Sequence, residues 1–314
     1  MKAPVAVTGA SGFVGRAVVR RLVETGWPVR VLVRRRAPGL EHAAVVPVQG
    51  SLEDEASLQR LVAGATAVVH CAGVVAAPSA AAFSEVNVLG SARLFAAAAG
   101  AATRPRILLL SSLAAREPRL SAYAHSKGAA EKILWQIVDQ GIEACALRPP
   151  AVYGPGDQAT LPIFRQLRGG LLFVPAVTDA RFSLLYVHDL ADAVAYLLAT
   201  AAWRPSALEL DDGQEGGYRW ADLAEIAGRQ LGRRVRTIAI PRSILWPLAA
   251  IGGLGGAALG RAPRLSPGKL RELFHGDWVA RPSQPSPLQG WSPRTTFARG
   301  FEQTLAWYRQ QGWL

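Results

Sequence analysis

Short apolar runs alternate with longer segments of helical length through the first half of the chain. The runs are rich in valine, isoleucine and leucine, and the segments between them are rich in alanine, leucine and arginine. This alternation is typical of strand–helix–strand units that build a parallel sheet covered by helices on both faces. The pattern predicts strands at residues 5–8, 29–33, 45–49, 67–71, 106–110 and 143–147, and helices at residues 12–25, 53–63, 83–99 and 122–140.

The alternation breaks down after Arg148. Prolines and glycines interrupt the chain there, and short strand-like runs then surround predicted helices at residues 160–168 and 188–200. We therefore expect an α/β protein, with a doubly wound parallel sheet of the Rossmann type in residues 1–150. A smaller α/β substrate-binding lobe is expected mainly in residues 151–314, and later segments are free to return to the first sheet.

A glycine-rich loop links the first predicted strand to the first predicted helix. Its sequence is TGASGFVG, with Gly9, Gly12 and Gly15 spaced as G-x-x-G-x-x-G rather than as the commoner G-x-G-x-x-G. Glycines let the backbone approach a pyrophosphate, and the helix N-terminus offers free N–H groups and the positive end of a dipole. The loop predicts a dinucleotide site, and a glycine turn without a ligand is the alternative.

Three arginines, Arg34, Arg35 and Arg36, follow the second predicted strand. NAD-binding proteins of this fold usually carry an acidic residue in this region, which binds the ribose hydroxyl. Here no carboxylate repels a phosphate, and guanidinium groups bind phosphate in a fork. The position therefore favours NADP over NAD, with a solvated basic loop as the alternative.

A tyrosine and a lysine four residues apart, in YAHSK, are predicted to share a face of the helix at residues 122–140. The ammonium of Lys127 would favour the phenolate of Tyr123 and lower its pKa from about 10, which suits proton exchange with a carbonyl or alcohol oxygen. The preceding strand ends in Ser111 and Ser112, whose hydroxyls would emerge at the carboxyl edge of the sheet. These residues predict acid–base chemistry on an oxygen.

The chain of 314 residues carries a formal net charge of +12, and most of the excess lies near the C-terminus. Residues 229–314 hold thirteen arginine and lysine residues against three acidic ones. An apolar content of 50% excludes a disordered or fibrous chain. The basic residues show no nucleic-acid recognition motif, and histidine and cysteine show no metal-ligand spacing. We therefore expect neither a nucleic-acid partner nor a metal.

Both cysteines, Cys71 and Cys145, lie inside apolar runs, which predicts free buried thiols rather than a disulfide. The chain enters its first strand without a signal-peptide pattern. Its most apolar late run, residues 244–260, is shorter than the roughly 20 residues that a spanning helix needs. We therefore expect a cytoplasmic protein without a transmembrane anchor.

The late apolar run and the C-terminal arginines have three interpretations. Seven of the nine tryptophans lie in this half of the chain, beginning with Trp203. An aromatic pocket under a positive rim would suit a lipid-like, steroid-like or acyl-thioester substrate with an anionic part. The same residues would suit peripheral contact with an anionic membrane surface. Alternatively, the run packs the core of the lobe and the arginines are solvated.

Together these motifs resemble the short-chain dehydrogenase/reductase superfamily, in particular its extended, NAD-dependent epimerase/dehydratase-like branch. The resemblance covers nearly the whole chain. TGASGFVG matches the cofactor loop, VVHCAG the stretch after the fourth strand, and VNVLGS the segment with a structural asparagine. LLLSSLAA matches the active-site serine, YAHSK the tyrosine and lysine, and RPPAVYGPGD the segment that leads into the substrate lobe.

The resemblance implies that Tyr123 is the acid/base, that Lys127 lowers its pKa and binds the nicotinamide ribose, and that a serine binds the substrate oxygen. Alignment of SSLAA favours Ser112, with Ser111 as the alternative. Tyr153 is expected where cofactor and substrate meet. The implied cofactor site comprises Gly9, Ser11, Gly12, Phe13, Val14, Gly15, Arg34, Arg35, Ser51, Leu52, Cys71, Ala72, Gly73, Asn87, Tyr123, Lys127, Pro149 and Val152, with His70 beside it.

Two departures from the family pattern matter. Ser51 stands where many relatives have an aspartate that contacts adenine, so that contact is weakened or left to the backbone. Arg116 and Glu117 stand where sugar-nucleotide epimerases often have Tyr-Gly. Asp189, at the start of a helix in the family pattern, is expected to cap that helix rather than to contact substrate. Many relatives dimerise through the helix at residues 122–140, so a homodimer is also open.

Three functions remain open. The favoured one is an NADP-dependent oxidoreductase that interconverts a hydroxyl and a ketone of a small-molecule substrate by hydride transfer. The second is a nucleotide-sugar epimerase or dehydratase with tightly bound NAD. The third is a non-catalytic cofactor-bound accessory subunit such as that of respiratory complex I, against which the intact serine, tyrosine and lysine argue.

Overall fold

The computed structural model describes residues 2–35, 38–200, 203–258, 260–263, 265–282 and 287–314. Its strands are β1 (Val5–Thr8), β2 (Val29–Val33), β3 (Val45–Gln49), β4 (Ala67–His70), β5 (Arg106–Leu110), β6 (Ala144–Arg148), β7 (Ala151–Tyr153), β8 (Leu171–Pro175), β9 (Arg181–Phe182), β10 (Leu184–Tyr186), β11 (Ser206–Glu209), β12 (Arg236–Ile240) and β13 (Asp277–Trp278). Its helices are α1 (Phe13–Glu24), α2 (Glu55–Val62), α3 (Ala80–Phe83), α4 (Gly90–Gly100), α5 (Ala122–Val138), α6 (Leu161–Gly169), α7 (Val187–Ala199), α8 (Trp220–Leu231), α9 (Arg242–Ala258), α10 (Pro267–Leu273) and α11 (Phe297–Gln310).

Within the described ranges, seven parallel strands form the central sheet in the order β11-β6-β5-β4-β1-β2-β3. The six strands predicted for the first half all form, so the predicted doubly wound parallel sheet is confirmed. Only β4, which ends at His70, and β6, which begins at Ala144, differ from the predicted bounds by one residue. The strand order reverses between β1 and β4, and ligands of such sheets bind at the carboxyl ends beside this reversal.

Helices cover both faces of the sheet. Successive side chains of β1 point to opposite faces, so Val5 and Val7 join the core under α1 and α7, whereas Ala6 joins the core under α2, α4 and α5. Leu22 on the first side and Leu58 on the second are both 0% exposed. Burial of such a side chain stabilises the fold by about 1.5–3 kcal/mol, which explains the nearly continuous apolar runs of the strands.

The helix predicted at residues 83–99 is wider in its first half than an ordinary α-helix. A π-helical segment, Ser84–Leu89, joins α3 to α4. This segment carries the buried Asn87, and such π-segments occur frequently at functional sites.

The second half of the chain forms a smaller lobe and also returns to the first sheet. Three parallel strand pairs, β7 with β10, β8 with β12 and β9 with β13, surround an aromatic core that includes Tyr153, Phe164 and Phe301. In contrast, β11 pairs with β6, and α7 packs against α1 on the first sheet. Residues beyond 150 therefore help to build both parts of the molecule.

The late apolar run forms most of α9. Pro247 lies inside this helix, which packs against α10. In the part of the chain that the structure describes, no helix has both the length and the hydropathy needed to cross a membrane.

Candidate active site

The glycines of the TGASGFVG loop are required by close backbone contacts. Gly9 has a φ of +69°, and a Cβ there would lie 2.5 Å from the amide nitrogen of Ala72, in the loop after β4. A Cβ on the buried Gly15 would lie 2.1 Å from the carbonyl oxygen of Gly9. Any larger residue would push α1 away from the loop or the loop away from β4, so these glycines keep three backbone segments together at the sheet edge.

The N-terminus of α1 offers its N–H groups beside this loop. Gly12 is the N-cap residue and has no side chain to satisfy them, and the following Phe13 and Val14 are half-buried. Ser11 is exposed, and its carbonyl oxygen accepts a 2.9 Å hydrogen bond from Arg16. Because helix N-termini with free N–H groups stabilise phosphates, the loop has the shape and the donors that a dinucleotide pyrophosphate requires.

The residues after β2 and β3 lie along the same edge of the sheet. Arg34 and Arg35 are exposed directly after β2, whereas Arg36 lies outside the described residues. After β3, the Ser51 hydroxyl accepts a hydrogen bond from the amide of Glu53 at 3.2 Å. The Leu52 side chain packs against Gly90 at the start of α4, where a Cβ on the glycine would come within 2.8 Å of it. Leu52 therefore also supports the packing of α4.

The two serines after β5 have different partners. The buried Ser111 hydroxyl donates a short hydrogen bond to Glu131 on α5. The half-buried Ser112 hydroxyl accepts from the amide of Ala114 at 3.2 Å, and it lies close enough to the Tyr123 phenol to stabilise its phenolate. The structure therefore brings Ser112, rather than Ser111, to the tyrosine.

The environment of Tyr123 opposes its ionisation. The pKa of Tyr123 is raised to about 12, mainly by burial; the interaction with Ser112 counteracts part of this shift, and the negative charge of Glu272 adds to it. The lowering of this pKa that was expected from Lys127 is therefore not found, and the direction is the opposite. Desolvation of the phenolate is the larger effect in this half-buried position.

Lys127 lies one helical turn after Tyr123 and is buried. Its ammonium donates a 2.9 Å hydrogen bond to the carbonyl oxygen of Leu110, the last residue of β5. Burial lowers the pKa of Lys127 to about 8, and the negative charge of Glu131 counteracts part of this shift. Lys127 is therefore a cation that can readily change its charge near neutral pH.

Asn87 and Gly73 lie next to the lysine. A Cβ on Gly73 would be 3.3 Å from the Lys127 ammonium and 3.1 Å from the Asn87 side-chain oxygen, so a larger residue would crowd both. Asn87 accepts a hydrogen bond from the amide of Val74 at 2.8 Å and donates to its carbonyl at 3.0 Å and to the Ser126 hydroxyl at 2.9 Å. Asn87 thus holds the loop after β4 against α5.

His70 and Cys71, which lie shortly before Gly73, are enclosed by the fold. The ring of His70 bridges the hydroxyls of Thr8, at 2.6 Å, and Ser91, at 2.9 Å, and burial lowers its pKa to about 3. Burial also raises the pKa of the Cys71 thiol to about 12, so this thiol stays neutral and unreactive. His70 joins β1, β4 and α4 without facing the sheet edge.

The segment after β6 differs in part from what the resemblance implies. The carbonyl of the buried Pro149 accepts a hydrogen bond from the amide of Leu113 at 3.0 Å, and Val152 pairs with Leu185 in β10. Tyr153 is 1% exposed among the aromatic rings of the lobe, so its expected position between cofactor and substrate is wrong. The alternation of β7 turns this side chain into the core, away from the sheet edge.

Asp189 has a different role from the expected helix cap. No side-chain cap is present at the start of α7. The buried Asp189 carboxylate instead accepts a 2.9 Å hydrogen bond from the amide of Thr295. Asp189 therefore fastens the segment before α11 to α7.

Sequence reasoning missed a chain of charged residues behind the site. Glu131 on α5 accepts hydrogen bonds from Arg148 at 2.6 and 2.9 Å, and Arg148 lies 3.7 Å from Glu209 on β11. Glu209 also accepts from Arg116 at 3.3 Å, and Arg116 donates to the carbonyl of Asp277 at 2.9 Å. The chain of contacts links the tyrosine-bearing helix to the C-terminal lobe.

Sequence reasoning also missed Glu272 on α10. This buried carboxylate accepts a short hydrogen bond from the hydroxyl of Ser121, which caps α5, and a 3.0 Å hydrogen bond from Lys269. Arg271 donates to the carbonyl of Leu120 at 2.7 Å. Because Ser121 and Glu272 are 151 positions apart, no local pattern could reveal their contact.

Comparisons with known proteins agree with this geometry. The chain matches the model of the NAD dependent epimerase/dehydratase family over residues 5–207. It is 36% identical over 313 residues to the ceramide reductase of Caulobacter vibrioides, which covers 99% of this chain and 96% of that protein. It is 30% identical over 220 residues to the 2-alkyl-3-oxoalkanoate reductase of Stenotrophomonas maltophilia, covering 64% of this chain and 66% of that one.

The fold also matches solved structures. MoeE5 in complex with UDP-glucuronic acid and NAD superposes with a TM-score of 0.75 at 21% identity, covering 98% of this chain and 99% of that chain. At this identity the likeness shows the fold alone. The family match, the parallel sheet and the glycine loop lead to one conclusion. The chain belongs to the NAD dependent epimerase/dehydratase family of extended short-chain dehydrogenases/reductases, and it is an NAD(P)-dependent enzyme of the dehydrogenase/reductase type.

Proposed function

We propose that the protein is an NADP-preferring reductase that interconverts a ketone and a hydroxyl on an apolar, lipid-like substrate. The observation that carries this proposal is the convergence of Ser112, Tyr123 and Lys127 at the carboxyl edge of the sheet, beside the glycine loop. Each has a chemical task in the reduction of a carbonyl group.

In this reaction the Tyr123 phenol donates its proton to the substrate oxygen as the carbonyl carbon becomes a carbinol carbon. A reduced nicotinamide supplies the hydride that forms the new C–H bond. The raised pKa of Tyr123 keeps the phenol protonated at neutral pH, which suits the direction of reduction. Ser112 donates a second hydrogen bond to the same oxygen and stabilises its developing negative charge.

Lys127 supports the phenolate that remains after proton transfer. Its ammonium is buried one helical turn from Tyr123, so its positive charge acts through a poorly screened environment. The pKa of about 8 means that most of the group is charged at neutral pH. In this proposal Lys127 also binds the nicotinamide ribose, next to Gly73 and Asn87.

The preference for NADP is supported by Arg34 and Arg35. Both side chains are exposed directly after β2, where a 2′-phosphate would meet the guanidinium groups. The residues Gly9, Gly12 and Gly15 would hold the pyrophosphate at the start of α1.

The apolar substrate is supported by the surroundings of Tyr123 and by the names of the relatives. The ring of Phe83 lies 6.1 Å from the ring of Tyr123, and Val75, two residues after Gly73, is 68% exposed. Ceramide reductase and 2-alkyl-3-oxoalkanoate reductase are both named for the reduction of molecules with alkyl chains. Long-chain ketones with an amide or carboxylate group close to the ketone, such as a long-chain β-keto amide, are therefore the substrates to test first.

A nucleotide-sugar epimerase is the second candidate. Arg116 and Glu117 stand where epimerases often have Tyr-Gly, and Arg116 is engaged with Glu209 and Asp277. This arrangement disfavours a sugar nucleotide in that place, and the accessory-subunit hypothesis gives no reason for the arranged serine, tyrosine and lysine.

The experiment begins with the nucleotide content of the purified protein after denaturation. The stripped protein is then titrated with NADPH and NADH, and NADPH oxidation is followed with a long-chain β-keto amide, with UDP-glucose as the control substrate. We expect an empty or exchangeable site, tighter binding of NADPH, and turnover of the keto amide alone. Tightly retained NAD with turnover of UDP-glucose would establish the epimerase instead, and no turnover with bound cofactor would favour the accessory subunit.

A further inference from the structure

We propose that α9 is a membrane-binding helix that lies in the plane of an anionic lipid surface, with its exposed apolar face inserted among the lipids. This inference goes beyond the proposed reductase activity, because it concerns a surface that contains none of the proposed catalytic residues.

One face of α9 is apolar and exposed. Ile244, Leu248 and Ile251 follow each other at spacings of four and three residues, which places them on one side of the helix. Their exposed fractions are 57%, 58% and 69%. Large aliphatic side chains aligned in this way usually pack against another surface, since their exposure to water costs free energy.

Toward its C-terminal end, α9 packs against the protein on another side. Ala249 is fully buried, and a Cβ on Gly252 would lie 2.8 Å from the carbonyl oxygen of Leu265. A Cβ on Gly253 would lie 3.1 Å from Pro267, at the start of α10. These close contacts fix the rotation of the helix, so its apolar side faces outward as a feature of the fold.

The charge around α9 indicates what covers this face. Residues 226–271 contain nine arginine and lysine residues and no aspartate or glutamate. Arg242 begins the helix and Arg261 follows it, and both are exposed. An apolar face flanked by basic residues is complementary to anionic phospholipids, because arginine and lysine side chains are attracted to the negative charge of such a surface.

A neighbouring apolar patch extends along the strand that leads into α9. Phe173 on β8 and Ile238 on β12 are cross-strand partners, with exposed fractions of 52% and 39%, and Leu171 is 43% exposed. The chain passes from β12 through Pro241 directly into α9. Ile238 is thus close in sequence to the helix, and its pairing brings the exposed Phe173 beside it.

A second copy of this chain is a poorer partner for the same face. A two-fold symmetric dimer pairs a surface with itself, so the arginines around one α9 would face those around the other. Residues 225–272 hold nine basic residues against two acidic ones, so like charges would oppose association. A lipid surface meets both the apolar and the basic requirement.

The position of α9 connects the proposed membrane face with the candidate active site. α9 packs on α10, and α10 is fastened to the start of α5 by Arg271 and Glu272. Tyr123 is the second residue of α5. If the proposed function holds, a membrane-resident substrate would therefore approach Tyr123 from the side of α9.

The test is flotation of the full chain with vesicles of phosphatidylcholine alone and of phosphatidylcholine with phosphatidylglycerol. We expect binding to the anionic vesicles, weakened by high salt, and little binding to the neutral ones. Leu248→Glu and Ile251→Glu are each expected to reduce binding about tenfold or more, since each prevents insertion of an apolar side chain. Val46→Glu is the matched control, because Val46 is 56% exposed on β3 and should leave binding unchanged.

Arg242→Glu and Arg261→Glu form the second pair of variants, which leave the apolar face intact. Each should weaken binding to anionic vesicles and reduce its dependence on salt. Absence of anionic vesicle binding by the parent protein would overturn the proposal, as would an equal loss with Val46→Glu. Light scattering that shows a dimer which Ile251→Glu converts to a monomer, without vesicle binding, would assign the face to a second copy. Because flotation measures no turnover, its result is independent of the reductase assay.

Discussion

The ammonium of Lys127 donates a 2.9 Å hydrogen bond to the carbonyl oxygen of Leu110, which ends β5. This contact ties α5 to the carboxyl edge of the sheet one helical turn from Tyr123. It also holds the buried ammonium at the end of β5, the strand that is followed directly by the candidate serines Ser111 and Ser112. The geometry of the proposed site therefore depends on a contact between side chain and backbone that local sequence cannot show.

Replacement of the arginines after β2 tests the cofactor preference. Arg34→Ala and Arg35→Ala should each raise the Kd for NADPH about tenfold, because a charge-assisted hydrogen bond to phosphate is lost. The Kd for NADH, measured by fluorescence titration of the same variants, is the control and should stay unchanged. An equal loss for both nucleotides would mean that the arginines act on the fold and not on the 2′-phosphate.

Replacement of Glu272 tests its electrostatic effect on Tyr123. The negative charge of Glu272 disfavours the phenolate and raises the pKa of Tyr123. Glu272→Gln should therefore lower this pKa, and the rise of alcohol oxidation with pH should move to lower pH. Glu225→Gln, on the exposed side of α8, is the control and should leave the profile in place. A Glu272→Gln profile that coincides with that of the parent would exclude this coupling.

Loss of Arg148 tests the chain of charges behind the site. Arg148→Ala would leave the Glu131 carboxylate, whose side chain is 4% exposed, without its guanidinium partner. We expect the free energy of unfolding to fall by about 3 kcal/mol, because an unpaired buried charge is costly. Arg229→Ala removes the exposed ion pair with Glu225 and should cost less than about 1 kcal/mol in the same urea titration. Equal effects of the two substitutions would contradict the account.

Replacement of Tyr153 should stabilise the protein, in contrast to the loss of Arg148. Its hydroxyl is buried and has no hydrogen-bond partner among the described residues. Tyr153→Phe should therefore raise the free energy of unfolding by about 1 kcal/mol, since it removes an unsatisfied polar group. Tyr308→Phe is the matched control, because the Tyr308 hydroxyl donates to the carbonyl of Asp157 at 2.5 Å, and its removal should destabilise. Destabilisation by Tyr153→Phe would mean that this hydroxyl has a partner.

The sequence predicted those features that depend on local pattern. The valine-rich runs predict β1 and β2 with their observed ends. Their alternation with amphipathic helices predicts a parallel sheet. The glycine spacing likewise predicts the loop in which Gly9 takes a positive φ. These features depend on residues that are near each other in the chain.

Features that depend on distant partners were missed or misjudged. The family pattern favours Ser112 over Ser111, but only the structure shows that Ser111 binds Glu131 while Ser112 lies beside Tyr123. Asp189 has the local pattern of a helix cap, but its partner Thr295 lies 106 residues later. Tyr153 follows the family motif in sequence, whereas the pairing of β7 with β10 decides which way its side chain points.

Transfer of deuterium from 4,4-dideuterated NADPH to a long-chain β-keto amide tests the central claim most directly. The account predicts that the parent protein places the label on the new carbinol carbon, and that Tyr123→Phe binds NADPH normally but turns over at least about a hundredfold more slowly. Product without label, or labelled product formed by Tyr123→Phe at the parental rate, would contradict it.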